Sequence, residues 1–450
     1  MKLHQAFDIV RGDVVAFIGA GGKTSTLVNL GYELAELGWR VTATTTTRIG
    51  IDQMALVPHA VRVNEGTKAL SAALGQHRFV FLYDRIDEDE VYGAAPDYIP
   101  FLMDYVDSDV LLIEADGARG LPLKAPYADE PVIPPETSLV VPIASVSVLG
   151  QELNEEHVYN AQAIMDRYGF VEHTRVKSPW VAQVLRDEKL GLQGVPEKAR
   201  VVALLNQVSP HGYARARARL IARLTLRSPR VNGVALGSVR SADPIYEVQR
   251  SIGAVVLAAG MSTRMGQPKV LLPWTGRRTI IEQIIEQLVL SRLDYITVVT
   301  GNKAPEVRHL AEKMGVETAY NSHYRTGEML SSLKTGLAAM PAHVSAALVV
   351  LGDQPRIQPR VIGQVLTAYA EGKGKIVAPS YQKRRGHPIL IDRRYWPEIL
   401  ALPPDGAPRD VINAHASEIA YVNVDTDSVL RDVDTPEDYS QERGRAGLSG

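Results

Sequence analysis

One stretch restricts the fold of this chain more than any other: residues 254–274, AVVLAAGMSTRMGQPKVLLPW. Its first six residues form an unbroken apolar run, which reads as a strand buried on both faces. The run empties into a loop of small residues, 260–269, that carries Arg264 and Lys269. Backbone N–H groups in such a loop turn toward phosphate oxygens, and the two cations add charge. Residues 280–290 then read as a helix. Strand, anion-binding loop and helix in that order demand an α/β layer. A nucleoside triphosphate would lie at the carboxyl end of the strand.

At 450 residues the chain is too long for one usual core, so two or three domains are expected. With 22% charged residues and a formal net charge of −2, it lacks the strongly basic stripe of a nucleic-acid binder. There is no cysteine, which excludes disulfides and thiolate metal sites. No window reaches the roughly 18 apolar residues of a membrane span, and the start, MKLHQAFDIVRGD, has no signal-peptide pattern. The expectation is a cytoplasmic protein with no membrane and no nucleic-acid partner.

The first half, expected to be a domain over residues 1–245, opens with a short apolar strand at 13–18. It leads into Gly19-Ala20-Gly21-Gly22-Lys23-Thr24-Ser25 and a helix with apolar residues at helical spacing. This is the order of a phosphate-binding loop. Gly21, Gly22 and Ser25 would shape it, Lys23 would reach the β/γ phosphates, and Thr24 would ligate Mg²⁺. The alternative is a glycine-rich turn with an incidental lysine. A second apolar strand, within 110–120 (VLLIEADGARG), delivers Glu114 and Asp116 to its carboxyl end. Those carboxylates either hold Mg²⁺, with Asp116 the metal ligand, or cap a turn. Arg119 and Lys124 are candidates to meet phosphate or a second substrate, and the 44-TTTTR-48 cluster either lines the same crevice or is a plain edge strand of β-branched residues. Residues 84–90 (DRIDEDE) read as a solvated loop, 151–167 as a helix, and the arginine-rich 215–223 as a solvated helix face. The strand at 201–205 ends in Asn206-Gln207. Residues 241–251 read as the interdomain junction.

The second half, residues 252–440, repeats strands and helices in an order that predicts a mostly parallel, Rossmann-like sheet with later antiparallel strands at one edge. Asp353 is the prime candidate for Mg²⁺. It follows the apolar strand 346–351 in LGDQP, and a hard cation on a triphosphate wants carboxylate oxygens. The competing reading is a turn aspartate. In 432-DVDTPED-438, Asp434 is the candidate second metal ligand with Asp432 as rival, and Asp438 reads as a helix-terminus charge. In 384-RRGHP-388, Arg385, Gly386 and His387 either meet the second substrate or, for His387, form part of the core. Residues 441–450 are expected to be a flexible tail.

Taken together, LAAGMSTRMGQPK, LGDQP, RRGHP and DVDTPED resemble the molybdenum cofactor nucleotidyltransferases, above all the cytidylyl-transferring branch. The guanylyl-transferring relatives tend to have LAGG where this chain has Leu257-Ala258-Ala259-Gly260. The resemblance implies nucleotide binding by Leu257, Ala258, Ala259, Gly260, Ser262 and Gly266, and catalysis by Arg264, Lys269 and Asp353 with Mg²⁺. It implies CTP as donor, molybdopterin or Mo-molybdopterin as acceptor, and molybdopterin cytosine dinucleotide as product. In the first half, GAGGKTS, ATTTTRI, EADGARGLPLKAP and LLNQV resemble the selenium-dependent hydroxylase accessory proteins. That resemblance implies a P-loop-like domain binding ATP or GTP, and an apo molybdenum hydroxylase as partner. Two rivals stand beside this reading: a nucleotidyltransferase with another NTP or a sugar-phosphate acceptor, and a nucleotide-dependent cofactor-insertion chaperone.

Overall fold

The computed structural model describes residues 1–276 and 278–448. The chain divides into two compact units, Met1–Gln249 and Arg250–Gly450. Both are α/β domains with mostly parallel sheets.

The first domain is built on an 11-stranded sheet. Its central strand Val14–Gly19 lies between Val110–Glu114 and Leu139–Ser145, parallel to both. Beyond Leu139–Ser145 come Arg200–Asn206 and Gly233–Gly237, and beyond Val110–Glu114 come Val41–Thr45 and Phe79–Asp87. The chain thus builds outward on both sides of Val14–Gly19, and a crevice opens at the carboxyl ends where the order reverses. The lack of alternation in these strands has a simple cause. Val15 and Phe17 enter one core while Val14, Ala16 and Ile18 enter another on the opposite face.

The second domain repeats the plan with eight strands. Ile252–Leu257 is central, parallel to Tyr295–Thr300 on one side and Ala346–Leu351 on the other. Ala254 and Val256 pack into one core and Val255 into the other. The antiparallel strand Ile389–Asp392 is not at an edge: it lies between Ala346–Leu351 and Ile376–Tyr381. The helix Ile280–Leu290 starts with a capping box in which Thr279 and Glu282 satisfy each other's backbone N–H groups.

Several expectations are corrected. Only Ala161–Tyr168 of residues 151–167 is helical. Upstream, the Asn154 side chain accepts from the His157 N–H, and the Glu155 carboxylate accepts from Asn160 and Gln162, so local side-chain bonds displace the helix. Residues 84–90 are not a loop but the tip of a hairpin, Phe79–Asp87 paired with Glu90–Gly93, turning at Glu88 with φ +51°. The helix Tyr213–Thr225 is not merely a solvated face. Arg215 and Arg219 hydrogen-bond Glu247, which is fully buried on Ile245–Gln249. That strand pairs antiparallel with Gly233–Gly237, so the first domain runs to Gln249, four residues beyond the expected end at 245 and within the expected junction. Residues 441–445 continue the helix Pro436–Arg445 instead of starting a flexible tail, and Leu448 packs on the second domain's core. The tail's last two positions, 449 and 450, lie outside the described residues. No helix among the described residues is long and apolar enough to cross a membrane.

Candidate functional sites

In the second domain three separate segments converge at the end of the central strand. The Gly352 N–H donates to Leu257 O at 3.0 Å, which sets the LGDQP turn against the glycine-rich loop. A Cβ at Gly352 would lie 2.6 Å from that same carbonyl, so only glycine allows the approach. The Val433 N–H donates to Asp353 O at 2.9 Å and thereby brings in the DVDTPED segment. Lys269 Nζ then donates to Asp353 Oδ2 at 2.5 Å and to Asp434 Oδ1 at 2.8 Å, while Arg264 Nη1 donates to Asp434 Oδ2 at 3.0 Å. Ser262, at φ +54°, accepts the Lys269 N–H on its Oγ at 3.1 Å, which fixes the loop's two ends. Among the described residues, the N–H groups of Gly260, Met261 and Ser262 meet no protein acceptor and are open to an anion.

The electrostatics follow from burial against charge. Burial works to lower the Lys269 pKa, but the Asp353 and Asp434 carboxylates outweigh it and the net shift is upward. Burial raises the Asp353 pKa above the usual carboxylate range in spite of Lys269. Asp353 Oδ1 is buried with no hydrogen-bond partner. An orphaned carboxylate oxygen is costly unless a ligand meets it, so the donor set fits a hard cation. No group of three or more His, Cys, Asp or Glu that could hold a metal occurs among the described residues. Mg²⁺ suits such a two-carboxylate site because phosphates and water complete its shell.

The acids flanking Asp434 have partners of their own. Asp432 accepts from Gln354 Nε2 at 2.7 Å, and Asp438 accepts from the Thr435 N–H and hydroxyl in a capping box. Arg385 and His387 line a cleft of about 760 Å³ that also takes in Met329, Leu330 and Arg409. Burial pushes the His387 pKa down to about 4, so the ring is neutral at physiological pH. Gly386 is needed where it stands, since a Cβ there would lie 2.4 Å from Val429 O. Met329 and Arg409 carried no signal in the sequence, because single residues at helix starts are indistinguishable there from surface positions.

The first domain holds a cleft of about 710 Å³ at the end of its own central strand. Gly21, Gly22, Lys23, Thr24 and Ser25 form one wall, at the start of the helix Lys23–Glu36. Lys23 does not extend into the cleft. Its Nζ donates to Gly19 O at 2.8 Å and lies 3.2 Å from Asp116 and 3.8 Å from Glu114. Burial opposes the Lys23 charge, yet Asp116 and Glu114 raise its pKa overall. Thr24 donates to Glu114 Oε2 at 2.8 Å, and Glu114 borders the cleft. Asp116, expected as a metal ligand, lies between Lys23 and Lys124, and its Oδ1 is buried with no hydrogen-bond partner. Lys124 is buried against Asp116 and Glu130 and so is not placed to meet phosphate. Of the threonine cluster, Thr44, Thr45 and Thr46 spend their hydroxyls on the Leu82, Glu114 and Val132 carbonyls; only Thr47 and Arg48 reach the cleft. The rim at Ser238, Val239 and Arg240 was not singled out from the sequence. Its one cue was a strand end at Gly237.

Known proteins match this two-part plan. A family described as YqeC protein matches residues 15–162. The chain is 30% identical over 240 residues to the uncharacterized protein YqeC of Escherichia coli (strain K12), covering 51% of this chain and 89% of that protein. The chain belongs to the YqeC family. To that half a second is fused, for a MobA-like NTP transferase domain matches residues 254–419. This YqeC-family chain is also 30% identical over 196 residues to nicotine blue oxidoreductase of Paenarthrobacter nicotinovorans (41% of this chain, 93% of that protein). It is 27% identical over 194 residues to molybdenum cofactor cytidylyltransferase of Escherichia coli (strain K12) (42% and 94%). The carboxyl-terminal domain is therefore a MobA-like, nucleotidyltransferase-family enzyme domain.

Proposed function

We propose that the carboxyl-terminal domain transfers a nucleotidyl group from a nucleoside triphosphate to a phosphate-bearing acceptor. The observation that carries this reading is the convergence of Arg264, Lys269, Asp353 and Asp434 beside a loop of open amides. An oxygen of the acceptor phosphate forms a bond to the α-phosphorus as the bond to the β-phosphate oxygen breaks. Pyrophosphate leaves with the bonding pair. The acceptor oxygen is already ionised near neutral pH, so no general base is needed. Positioning and charge stabilisation then supply most of the rate. The amides of residues 260–262, with Ala258, Ala259 and Gly266 shaping the loop, would hold the triphosphate. Lys269 and Arg264 would stabilise charge on the departing pyrophosphate. Asp353, through its unpartnered Oδ1, and Asp434 would hold Mg²⁺, which would screen the triphosphate and polarise the phosphoryl group.

A narrower form of the proposal has CTP as donor and molybdopterin or Mo-molybdopterin as acceptor, received by Arg385, Gly386 and His387. The product would pass to an apo molybdenum hydroxylase. The LAAG motif and the likeness to a molybdenum cofactor cytidylyltransferase support it. The broader form, with another NTP or a sugar phosphate, is favoured by the range of relatives, which includes molybdenum cofactor guanylyltransferases and the bifunctional protein GlmU. The test is pyrophosphate release with each of four NTPs against molybdopterin, Mo-molybdopterin and a panel of sugar phosphates. Release with CTP and Mo-molybdopterin alone selects the narrow form. No release with any pair overturns the transferase reading.

A further inference from the structure

We propose that the amino-terminal domain is a second, independent nucleoside-triphosphate site, with the phosphates at residues 21–25 and the nucleoside on the rim formed by Gln207 and residues 238–240. Four features of that domain carry it.

The amides come first. Among the described residues, the N–H groups of Gly21, Gly22, Lys23, Thr24 and Ser25 have no protein acceptor, and all belong to one loop and the first turn of a 14-residue helix. Consecutive open amides at a helix start form an anion cradle. Its shape admits no side chain at two positions. Gly21 and Gly22 have φ of +84° and +134°, and added Cβ atoms would lie 2.7 Å from the Ser145 nitrogen and 2.3 Å from Asn206 Nδ2.

The second feature is a cation site beside the cradle. Glu114 and the Thr24 hydroxyl meet at 2.8 Å on the cleft wall, the pairing of carboxylate and hydroxyl that Mg²⁺ on a triphosphate uses. Lys23 occupies the nearest interior position, neutralising Glu114 and Asp116. Mg²⁺ arriving with a triphosphate would take over that neutralisation and free Lys23 to turn toward the phosphates.

Third, Asn206 ties the phosphate loop to the far rim. Its Nδ2 donates to Gly21 O at 2.8 Å, while its Oδ1 accepts from the Gln207 N–H at 2.8 Å and the Val239 N–H at 3.1 Å. One buried amide thus holds the cradle at a fixed distance from the ends of two neighbouring strands. Fourth, the cleft reaches from the cradle to Arg240 with a volume of about 710 Å³. That lies within the roughly 300–1,000 Å³ of small-molecule sites and leaves room for a sugar and base.

The experiment uses the full chain carrying Lys269→Ala and Asp353→Ala, which withdraws the charges the other domain offers a triphosphate. Labelled ATP and GTP are titrated with Mg²⁺, in parallel with pyrophosphate. Saturable binding is expected, weakened at least tenfold in Lys23→Ala. Because Lys23→Ala leaves two buried carboxylates uncompensated and risks misfolding, Arg240→Ala on the exposed rim provides the second arm. It should weaken nucleotide binding several-fold and leave pyrophosphate binding unchanged. Absence of saturable binding, or binding indifferent to both substitutions, overturns the proposal. Pyrophosphate binding as tightly as either nucleotide overturns its nucleoside part. Failure of the transferase reading would alter none of these outcomes, because the readout is dependence on Lys23 and Arg240.

Discussion

Lys269 Nζ stands 2.5 Å from Asp353 Oδ2, joining two residues 84 positions apart in the chain. The lysine is the counter-ion of the carboxylate and, on the proposed reading, a ligand of the triphosphate when substrate is bound. Asp353→Ala should leave a folded protein with turnover reduced by at least about 10²-fold, the scale of removing one group that stabilises developing charge. Pyrophosphate release measured beside a thermal melt checks this. Unchanged turnover in Mg²⁺ would remove Asp353 from the reaction.

Thr435 is expected to matter twice. Its hydroxyl accepts the Asp438 N–H at 3.2 Å at the start of the helix Pro436–Arg445, and the Asp438 carboxylate also accepts the Asp434 N–H at 3.3 Å. Thr435→Ala should cost about 1 kcal/mol of stability, read from the urea midpoint. It should also raise the Mg²⁺ concentration needed for half-maximal turnover, because Asp434 loses part of its support. A variant with an unaltered Mg²⁺ requirement would separate the cap from the site.

For His387, burial holds the ring neutral in the fold, with a pKa of about 4. The unfolded chain takes up that proton first, near pH 6.5. The contribution to stability is thus fully present above about pH 6.5 and is lost as pH falls toward 4. NMR of the ring protons should show no titration of His387 between pH 8 and 5.5. A midpoint near 6.5 would contradict the buried environment.

Glu247 shows the opposite balance. Burial alone would raise its pKa, but the Arg219 and Arg215 hydrogen bonds outweigh burial and lower it. Its stabilising contribution is present above the ordinary carboxylate range and is lost as pH falls through the depressed value. Glu247→Gln should destabilise the first domain by roughly 2–4 kcal/mol at pH 7, less than a fully buried pair because Arg219 is half-exposed. The difference between variant and parent urea midpoints should shrink on acidification. A constant difference from pH 7 to 3 would assign the effect to packing.

Much of this protein was legible from local pattern. Apolar runs such as 254–259 and 346–351 announce strands buried on both faces, and the helix Ile280–Leu290 is announced by its periodicity. The glycine-rich loop after the strand Val14–Gly19 borders the first domain's cleft, and the one after Ile252–Leu257 carries Lys269 to Asp353, because a loop at the carboxyl end of a central strand has few other places to go. Where local polar bonding competed with periodicity, as at Asn154 and Glu155, the pattern misled.

The sequence by itself determined two α/β domains, two glycine-rich loops at strand ends, and the residue types available to each. Only the tertiary structure decided which charges meet. It set Asp434 rather than Asp432 against Lys269, and turned Glu114 rather than Asp116 toward the first domain's cleft. It also folded Lys23 inward. The physical reason is that strand ends fix where a side chain starts. The partner it finds depends on burial and on segments many tens of residues away, and neither leaves a mark in local spacing.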